Sequence, residues 1–544
     1  MLLPKIIGDN LYFLITETHS QVSNLQSFLD APTPALAKRI IGQSGYINSL
    51  KTRIHDSCMN RISRPKESES ETRLFRTSEF IATALQRISE QCVDCVRQLD
   101  SLPDNNDLDT RSFAPLLDRV IRGIKLVDPA LKENDTRLAL KIGHTEHKID
   151  QDYRKLLKYY MSSLKPKRQT EELITAMFIA YSIDQMGDAL LNISESIISA
   201  NLGQEVNMDQ FYSIRASAEN LDMAEEDISI KSIAETRSGS TVSGISRLHE
   251  NNDHYLAIYK DGEKRKLKEE RQGVESWHEI YPGLAPRILA YQKQGESAAL
   301  LIEHLAGQTF EQILLHEPPK LVKETLTHLA DTVLDVWQET QTNKPVAACF
   351  MKQLSNRMDE VYSVHPEFQQ GENRIGDLII PSFDRLLDQA MNYEKKLRAP
   401  FSVYIHGDFN LDNIIYDPEQ QRINFIDLHR SRYMDYVQDV SVFMVSNYRL
   451  QILDTALRKR IMKVARLFYR IARNYAHKSA DETFEIRLAL GLARSFATST
   501  RYILDKSLAR AMFLRSRYLI ELVLATDPKK TKEFKTPVKE IFIG

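Results

Sequence analysis

The chain has 544 residues, with 72 Lys and Arg against 74 Asp and Glu and a formal net charge of -2. This length predicts about two to four domains, and the near-neutral charge excludes a global field that would attract nucleic acid or a membrane surface. No stretch is apolar enough to span a membrane, polar residues interrupt Met1 to Leu14, and there are four cysteines, so we expect a cytoplasmic protein with reduced thiols.

Helical periodicity dominates residues 10 to 218, and almost no segment there alternates like a strand. Apolar residues such as Ile40, Ile47 and Ile54 recur at helical spacing, and polar loops separate the periodic stretches. We therefore expect an antiparallel helical bundle in this half.

A weak internal repeat links residues 81–90 with residues 179–188, as expected for two stacked helical units. The second copy contains DQMGD at 184–188 with Asn192 beyond it. This stretch resembles the E-R-I-G-D-x-x-x-N signature of the PhoU family of phosphate-uptake regulators, which is built from two three-helix repeats. The resemblance covers roughly residues 1–218 and implies an all-α bundle.

Acidic residues on this stretch are candidate metal ligands. Asp184 and Asp188 lie four residues apart on one helix face, where like charges repel unless a cation or a basic side chain lies between them. The PhoU resemblance implies that they bind a metal, and the acidic pair Glu146 and Asp150 on a preceding helix would complete the site. A solvated or salt-bridged helix face shows the same spacing and remains an alternative.

Strand patterns begin after an acidic linker at residues 219–231. A loop of small residues containing Ser238, Gly239 and Ser240 follows, and its main-chain amides would suit phosphate oxygens. The loop lacks the full G-x-G-x-x-G pattern, so an ordinary hairpin turn remains the alternative.

Lys260 ends a strand-like stretch at 254–260, where the V-A-I-K pattern of kinases has the lysine that holds the nucleotide phosphates. A helix predicted over 266–280 offers Glu269 or Glu270 as its ion-pair partner, and we choose Glu270. An exposed lysine and a solvated glutamate are the alternatives.

The stretch HGDFNLDN at 406–413 and the later Asp427 have the residue types that phosphoryl transfer needs. A short strand leads into the first motif, and a predicted hairpin leads from its end to Asp427. Asp408 would hold the acceptor hydroxyl, while Asn413 and Asp427 offer the hard oxygen ligands that Mg²⁺ prefers.

The H-G-D-x-x-x-x-N motif, the following Ile-Asp and two later aspartates, Asp435 and Asp439, resemble the aminoglycoside phosphotransferase and choline kinase family. This resemblance implies that Asp408 is the catalytic base, that Asn413 and Asp427 bind metal, and that ATP and Mg²⁺ are the cofactors. It also implies structural roles for His406 and for Asp439, which would brace the catalytic loop.

The same resemblance extends over roughly residues 232–525. The stretch Glu303 to Gly307 is similar to the family's hinge, so the main chain at Glu303 and Leu305 is expected to bind adenine. The fold class expected is therefore α+β multidomain. It comprises a PhoU-like bundle at 1–218, a linker at 219–231, and a bilobal protein-kinase-like domain with lobes at 232–307 and 308–530 and a tail at 531–544. Helices are expected over 309–340, over 345–393 with breaks, and from 439 to about 526.

The charge of the second lobe bears on the acceptor. Residues 448–517 contain sixteen Lys or Arg and five Asp or Glu, whereas binding sites for polycationic aminoglycosides need acidic surfaces. Three basic residues, His429, Arg430 and Arg432, also follow Asp427 directly. An anionic acceptor or an acidic protein partner is expected, although arginines on long helices commonly cover apolar surface and face water.

The function expected is an ATP- and Mg²⁺-dependent phosphotransferase that acts on a hydroxyl acceptor other than an aminoglycoside. The PhoU-like half would regulate it or recruit a protein partner. One alternative is a signalling or scaffold protein that binds nucleotide without turnover. In another, the helical half senses metal or phosphate and gates the kinase half.

Overall fold

The structure is a computed structural model that describes residues 3–63, 69–102, 108–164, 169–202, 206–208, 211–212, 228–235, 241–247, 255–294 and 297–543. It divides into two compact units, Met1–Tyr259 and Lys260–Gly544. The domain boundaries expected from the sequence stay predictions. No helix of the described ranges is long and apolar enough to cross a membrane.

Six long helices account for most of the described part of the first unit. The first three pack consecutively, the last three do the same, α1 packs on α4, and α3 packs on α6, which gives two three-helix sets side by side. The helices are α1 (Lys5–Asp30), α2 (Pro34–Ile62), α3 (Glu69–Asp100), α4 (Ala114–Lys132), α5 (Thr136–Ser163) and α6 (Thr170–Leu202).

Local sequence explains where these helices begin and how closely they pack. Thr33 caps α2 by accepting a hydrogen bond from Leu36, and Asp135 caps α5. The glycine of the DQMGD stretch, Gly187, lies where α6 meets α5: a Cβ there would lie 3.3 Å from Ile149. The repeated segments of the sequence lie on α3 and α6, the two helices that pack against each other.

A hairpin follows the helices in the first unit. Strands β1 (Ile228–Glu235) and β2 (Thr241–Arg247) pair antiparallel. Ser238, Gly239 and Ser240 lie between these strands in the sequence and outside the described residues, so their expected contact with phosphate stays a prediction.

The second unit begins within strand β3 (Ala257–Glu263), which is followed by α7 (Lys264–Ile280), β4 (Ile288–Gln294) and β5 (Ser297–Glu303). The strands β3, β5 and β4 are neighbours in that order, and β4 pairs antiparallel with β5. The helix α7 packs on β5.

The remainder of the second unit is mostly helical and contains one large apolar core. Its short strands are β6 (Gln308–Thr309), β7 (Asn373–Ile375), β8 (Leu378–Ile380), β9 (Val403–Ile405), β10 (Ile414–Asp417), β11 (Arg422–Phe425) and β12 (Arg432–Met434). The strand β10 pairs antiparallel with β11 and with β6, and β12 pairs with β9. The helices are α8 (Phe310–His316), α9 (Pro319–Glu339), α10 (Phe350–Ser355), α11 (Met358–Val364), α12 (Phe383–Glu394), α13 (Val437–Tyr448), α14 (Thr455–Lys478), α15 (Phe484–Ser499), α16 (Lys506–Leu524) and α17 (Val538–Ile541).

The expected fold class is confirmed: an all-helical front half precedes a mixed α/β, kinase-like unit. One local expectation needs correction, because the stretch 345–393 contains the hairpin β7–β8 as well as helices. Gly376 adopts φ +59° between the two strands, a conformation that suits a tight turn and ends helical periodicity.

Candidate active site

The strand β9 leads directly into the HGD motif, and a buried carboxylate fixes the main chain there. Asp439, near the start of α13, accepts hydrogen bonds of 2.8 Å from the N–H groups of both His406 and Gly407. Gly407 has φ +84°, and a Cβ at this position would lie 2.4 Å from the carbonyl oxygen of Arg430. Only glycine therefore allows this loop to pass so close to residue 430.

Burial shapes the chemistry of the groups that hold the loop. Burial raises the pKa of Asp439 to about 7, although its two main-chain hydrogen bonds act in the opposite direction. Burial lowers the pKa of His406. The neutral imidazole uses both nitrogens, because Nε2 donates to the carbonyl of Ile426 at 2.9 Å and Nδ1 accepts from the N–H of Asp408 at 3.3 Å. His406 thus links the loop to the end of β11.

Asp408 follows with both carboxylate oxygens engaged and a side chain that is 20 % exposed. The amide of Asn410 donates to Oδ1 at 3.0 Å, and Nη1 of Arg430 lies 3.2 Å from Oδ2. The amide nitrogen of Asn413 donates to the main-chain carbonyl of Asp408 at 2.9 Å. Since this bond uses the nitrogen of Asn413, its Oδ1 is left as the oxygen that a cation would take.

Asp427 lies two residues after β11, in a left-handed conformation with φ +61°. Burial alone would raise its pKa, but a hydrogen bond from Nδ1 of His429 (3.1 Å) and the charge of Lys260 lower it well below the usual range. The N–H of Ile426 donates to the carbonyl of Asn413 at 3.0 Å, so the segments carrying Asn413 and Asp427 run side by side. Asp427 is therefore an ionised carboxylate on a segment that runs beside the one that carries Asn413.

Lys260 and Glu270 form a buried ion pair, with side chains that are 10 % and 8 % exposed. Burial alone would lower the pKa of Lys260, but the charges of Glu270 and Asp427 outweigh it and raise the pKa. The helix that carries Glu270 lies against the segment after β11: a Cβ on Gly273 would meet the carbonyl of Leu428 at 2.1 Å. The lysine thus lies close enough to Asp427 for their charges to interact.

At the expected hinge, the side chain of Glu303 is already engaged. Arg287 donates to it from its main-chain N–H (3.1 Å), from Nε (3.1 Å) and from Nη2 (3.2 Å). Leu305 lies in the irregular stretch between β5 and β6 and is half-buried. Gly307 follows with φ +106°, and a Cβ there would meet the carbonyl of Tyr416 at 2.1 Å, so the hinge runs directly against β10. Adenine binding at Glu303 and Leu305 stays a prediction.

The acidic residues of the helical unit lie close enough for their charges to interact. Burial and the charge of Asp188 raise the pKa of Asp184 to about 6, and burial and the same neighbour raise the pKa of Glu146 to about 7. Arg154 pairs with Asp150 at 2.8 Å. Across the described ranges, no three His, Cys, Asp or Glu side chains form a metal-binding group. Metal binding by Asp184 and Asp188 stays a prediction.

Two arginines near the HGD motif were not expected from the sequence: Arg494, whose charge interacts with Asp408, and Arg357, whose charge interacts with Arg430. Arg494 is the single charged residue in the otherwise apolar stretch LALGLARSFA at 488–497. This apolar run was a signal that Arg494 is buried, because a helix with apolar residues on all sides lies inside the protein. Arg357 caps the short helix α11 and carries no comparable signal.

Comparisons with known proteins agree with this division of the chain. Residues 255–470 match the model of the phosphotransferase enzyme family, and residues 115–197 match the model of the PhoU domain. The chain therefore carries a phosphotransferase-family domain and a PhoU domain, and the resemblance to both families expected from the motifs is confirmed.

Individual proteins are similar to parts of the chain. The phosphate-specific transport system accessory protein PhoU of Escherichia coli (strain K12) is 25 % identical over 207 residues, which are 38 % of this chain and 81 % of that protein. The crystal structure of PhoU from Pseudomonas aeruginosa aligns with a TM-score of 0.33 at 18 % identity, over 36 % of this chain and 96 % of that one. The crystal structure of an aminoglycoside-3'-phosphotransferase of type VIII aligns with a TM-score of 0.31 at 14 % identity, over 49 % of this chain and 100 % of that one.

Proposed function

We propose that this protein is an ATP- and Mg²⁺-dependent phosphotransferase that acts on a hydroxyl acceptor other than an aminoglycoside. The observation that carries the proposal is the convergence of Asp408, Asn413 and Asp427 with the buried pair of Lys260 and Glu270. Phosphoryl transfer needs positioning and charge neutralisation more than covalent help from the protein, and these are the groups that supply both.

Each residue has a distinct task in this proposal. The Oδ1 atom of Asn413 and the ionised carboxylate of Asp427 would hold Mg²⁺, which neutralises charge on the phosphates. Lys260, held by Glu270, would contact the α- and β-phosphates of ATP. Asp408 would accept the proton of the acceptor hydroxyl, after its contact with Arg430 has been exchanged for a contact with the substrate.

Turnover of ATP by the full-length protein tests the proposal, with an Asp408→Asn variant beside the wild type. We expect the variant to lose about 10²–10⁴-fold in turnover because a positioned general base contributes that much. Asp331→Asn, a matched change on the exposed face of α9, should leave turnover unchanged. Equal turnover by wild type and Asp408→Asn would refute the assignment of the base.

A second candidate is a signalling or scaffold protein that binds nucleotide without turnover. The ion pair between Arg430 and Asp408 favours it, because a base held by an arginine is not free to accept a proton. Tight ATP binding by a full-length protein that shows no turnover with any acceptor would select this function.

The PhoU domain would regulate the phosphotransferase or recruit a protein partner, and a cation held by Asp184 and Asp188 would belong to that role. In this proposal the protein acts in the cytoplasm, where ATP is present and its free cysteines stay reduced. Gating by this domain predicts that Mn²⁺ or phosphate changes ATP turnover in the wild type and less so in Asp184→Asn. Identical responses of the two proteins would refute gating through this site.

A further inference from the structure

Four arginines whose charges interact form a cluster beside Asp408, the proposed base: Arg494 interacts with Asp408, Arg430 and Arg357, and Arg357 interacts with Arg501. Arg430 follows β11 and contacts Asp408, Arg357 caps α11, and Arg494 and Arg501 lie on α15 and on the turn after it. The helix α11 packs against that turn, and α15 packs against α13, which carries Asp439. Three separate parts of the second unit thus bring positive charge to one place.

Arg494 is the most unusual of the four because it is buried without a full set of partners. The residue is 9 % exposed, and its Nε and Nη2 atoms have no hydrogen-bond partner in the described part of the chain. These two atoms form one edge of the guanidinium, the edge that binds two oxygens of a phosphate or carboxylate together. Burial and the charges of Arg430 and Arg357 lower the pKa of Arg494 to about 10, although the charge of Asp408 acts in the opposite direction, so Arg494 is still protonated at neutral pH.

The nearby acids do not neutralise this charge. Arg430 is paired with Asp408, and Arg501 is paired with Glu360. Within the described ranges, neither Arg357 nor Arg494 has a carboxylate within ion-pair distance.

Two other acids, Asp439 and Glu394, interact electrostatically with Arg494. Main-chain N–H groups engage both, and burial raises the pKa of each to about 7, so each is partly protonated at neutral pH. The cluster therefore keeps an excess of positive charge, and a buried charge without a counterion is costly.

We propose that this arginine cluster is the acceptor's anion subsite and that it binds a phosphate group already present on the hydroxyl acceptor. The substrate class is a phosphorylated metabolite with a free hydroxyl, such as a sugar phosphate. This inference rests on the proposed phosphotransfer, because it defines the acceptor of that reaction.

The contact between Arg430 and Asp408 links binding at the subsite to the availability of the proposed base. Arg430 is 42 % exposed and lies on the rim of the cluster, so an incoming phosphate competes with Asp408 for its guanidinium. A dianionic phosphate attracts the guanidinium more strongly than a single carboxylate does. Acceptor binding therefore frees the base at the moment when the hydroxyl arrives, and a neutral or cationic acceptor leaves the base paired.

Binding of inorganic phosphate to the full-length protein tests the subsite directly. Trp277 and Trp337 are the two tryptophans of the chain, and both lie in the second unit, so their fluorescence reports its thermal unfolding. With phosphate at about ten times its Kd, linkage predicts a rise in Tm of about 3 °C. No rise in Tm with phosphate would overturn the proposal.

Variants distinguish phosphate binding at the arginine cluster from phosphate binding at the nucleotide site. Arg357→Gln changes a partly exposed side chain and should weaken phosphate binding about tenfold or more. Arg494→Met should raise Tm without phosphate, since it removes an uncompensated buried charge, and should lose the response to phosphate. Arg510→Gln, on the exposed face of α16, and Lys260→Met should keep that response. Phosphate binding that survives in Arg357→Gln and Arg494→Met but fails in Lys260→Met would assign it to the nucleotide site and overturn the proposal.

Acceptor assays distinguish failure of this inference from failure of the proposed function. ATP turnover with glycerol, glycerol 3-phosphate, glucose, glucose 6-phosphate and kanamycin should be highest with the two phosphorylated compounds. Turnover stimulated only by the neutral or cationic compounds would overturn the subsite and keep the phosphotransferase. Arginine-dependent phosphate binding without turnover for any acceptor would refute the phosphotransferase and reduce the cluster to an anion-binding site.

Discussion

A buried ion triad ties α15 to the segment that precedes α13, and its removal is a sharp test of the fold around the site. Arg487 on α15 pairs through Nη1 with Asp435 and through Nη2 with Asp481, and all three side chains are almost completely buried. The hydroxyl of Tyr436 also donates to Asp481 at 2.7 Å. The triad thus fixes the start of α13, the helix whose Asp439 accepts hydrogen bonds from His406 and Gly407.

We expect Arg487→Met to lower the free energy of unfolding by about 3–5 kcal/mol at pH 8, because it leaves two ionised carboxylates buried without a cation. Burial already raises the pKa of Asp435, and loss of the guanidinium raises it further. The folded variant then binds protons that the unfolded chain releases, so its stability falls as pH rises. The loss should accordingly be smaller at pH 5 than at pH 8.

Urea unfolding followed by tryptophan fluorescence measures this loss, since both tryptophans lie in the second unit. Arg473→Met is the matched control: Arg473 lies 3.2 Å from Glu485, but it is 54 % exposed, and such pairs contribute about 1 kcal/mol or less. A loss below about 1 kcal/mol for Arg487→Met, or one that does not vary with pH, would refute the reasoning from buried charge.

Three further predictions concern other parts of the chain. Asp184→Asn should stabilise the helical unit by about 1–2 kcal/mol at pH 8 and not at pH 4, after allowance for its partial exposure, because the folded state holds a proton that the unfolded chain releases between those values. Urea unfolding followed by circular dichroism would show it, and no gain at pH 8 would contradict it. Lys260→Met should weaken ATP binding about tenfold or more and destabilise the second unit, since Glu270 is left buried without a cation; unchanged affinity in an ATP titration would argue against a phosphate contact. Gly407→Ala should lower stability by about 1–3 kcal/mol and turnover about tenfold or more, because its Cβ would collide with the carbonyl of Arg430; wild-type urea midpoint and turnover would disprove the close approach.

Features with a local signal were predictable from the sequence. The hairpin of β10 and β11 follows from two short apolar runs separated by a turn. The helical first half follows from periodicity, and its two three-helix sets were expected from the PhoU resemblance. The two repeated segments lie on α3 and α6, which pack against each other. The pairing of Lys260 with Glu270 could be predicted because the two residues lie only ten positions apart, on a strand and on the helix that follows it.

Features that depend on long-range packing were not predictable. Arg487 pairs with Asp435, which lies 52 positions away in the sequence, and the residues around either one do not indicate this partner. The engagement of Glu303 by Arg287 depends on the register of β4 against β5, which the strand patterns do not fix. Arg494 had one local signal, its position in an apolar run, but many arginines on helices face water, and its unpaired position among other arginines depends on the packing around α15.

Protein kinases have the motif H-R-D where this chain has His406, Gly407 and Asp408, so Gly407 stands in the place of an arginine. The neighbours of Gly407 give a physical explanation for the glycine. A side chain at 407 would collide with the main chain of Arg430, so the glycine is what allows residue 430 to come close enough for its guanidinium to reach Asp408. The positive charge of the missing motif arginine is thus supplied by Arg430, which follows β11. An arginine at 407 would belong to the catalytic loop itself, whereas Arg430 lies on the rim and can exchange partners. That difference suits a phosphotransferase whose base is released by the charge of its acceptor.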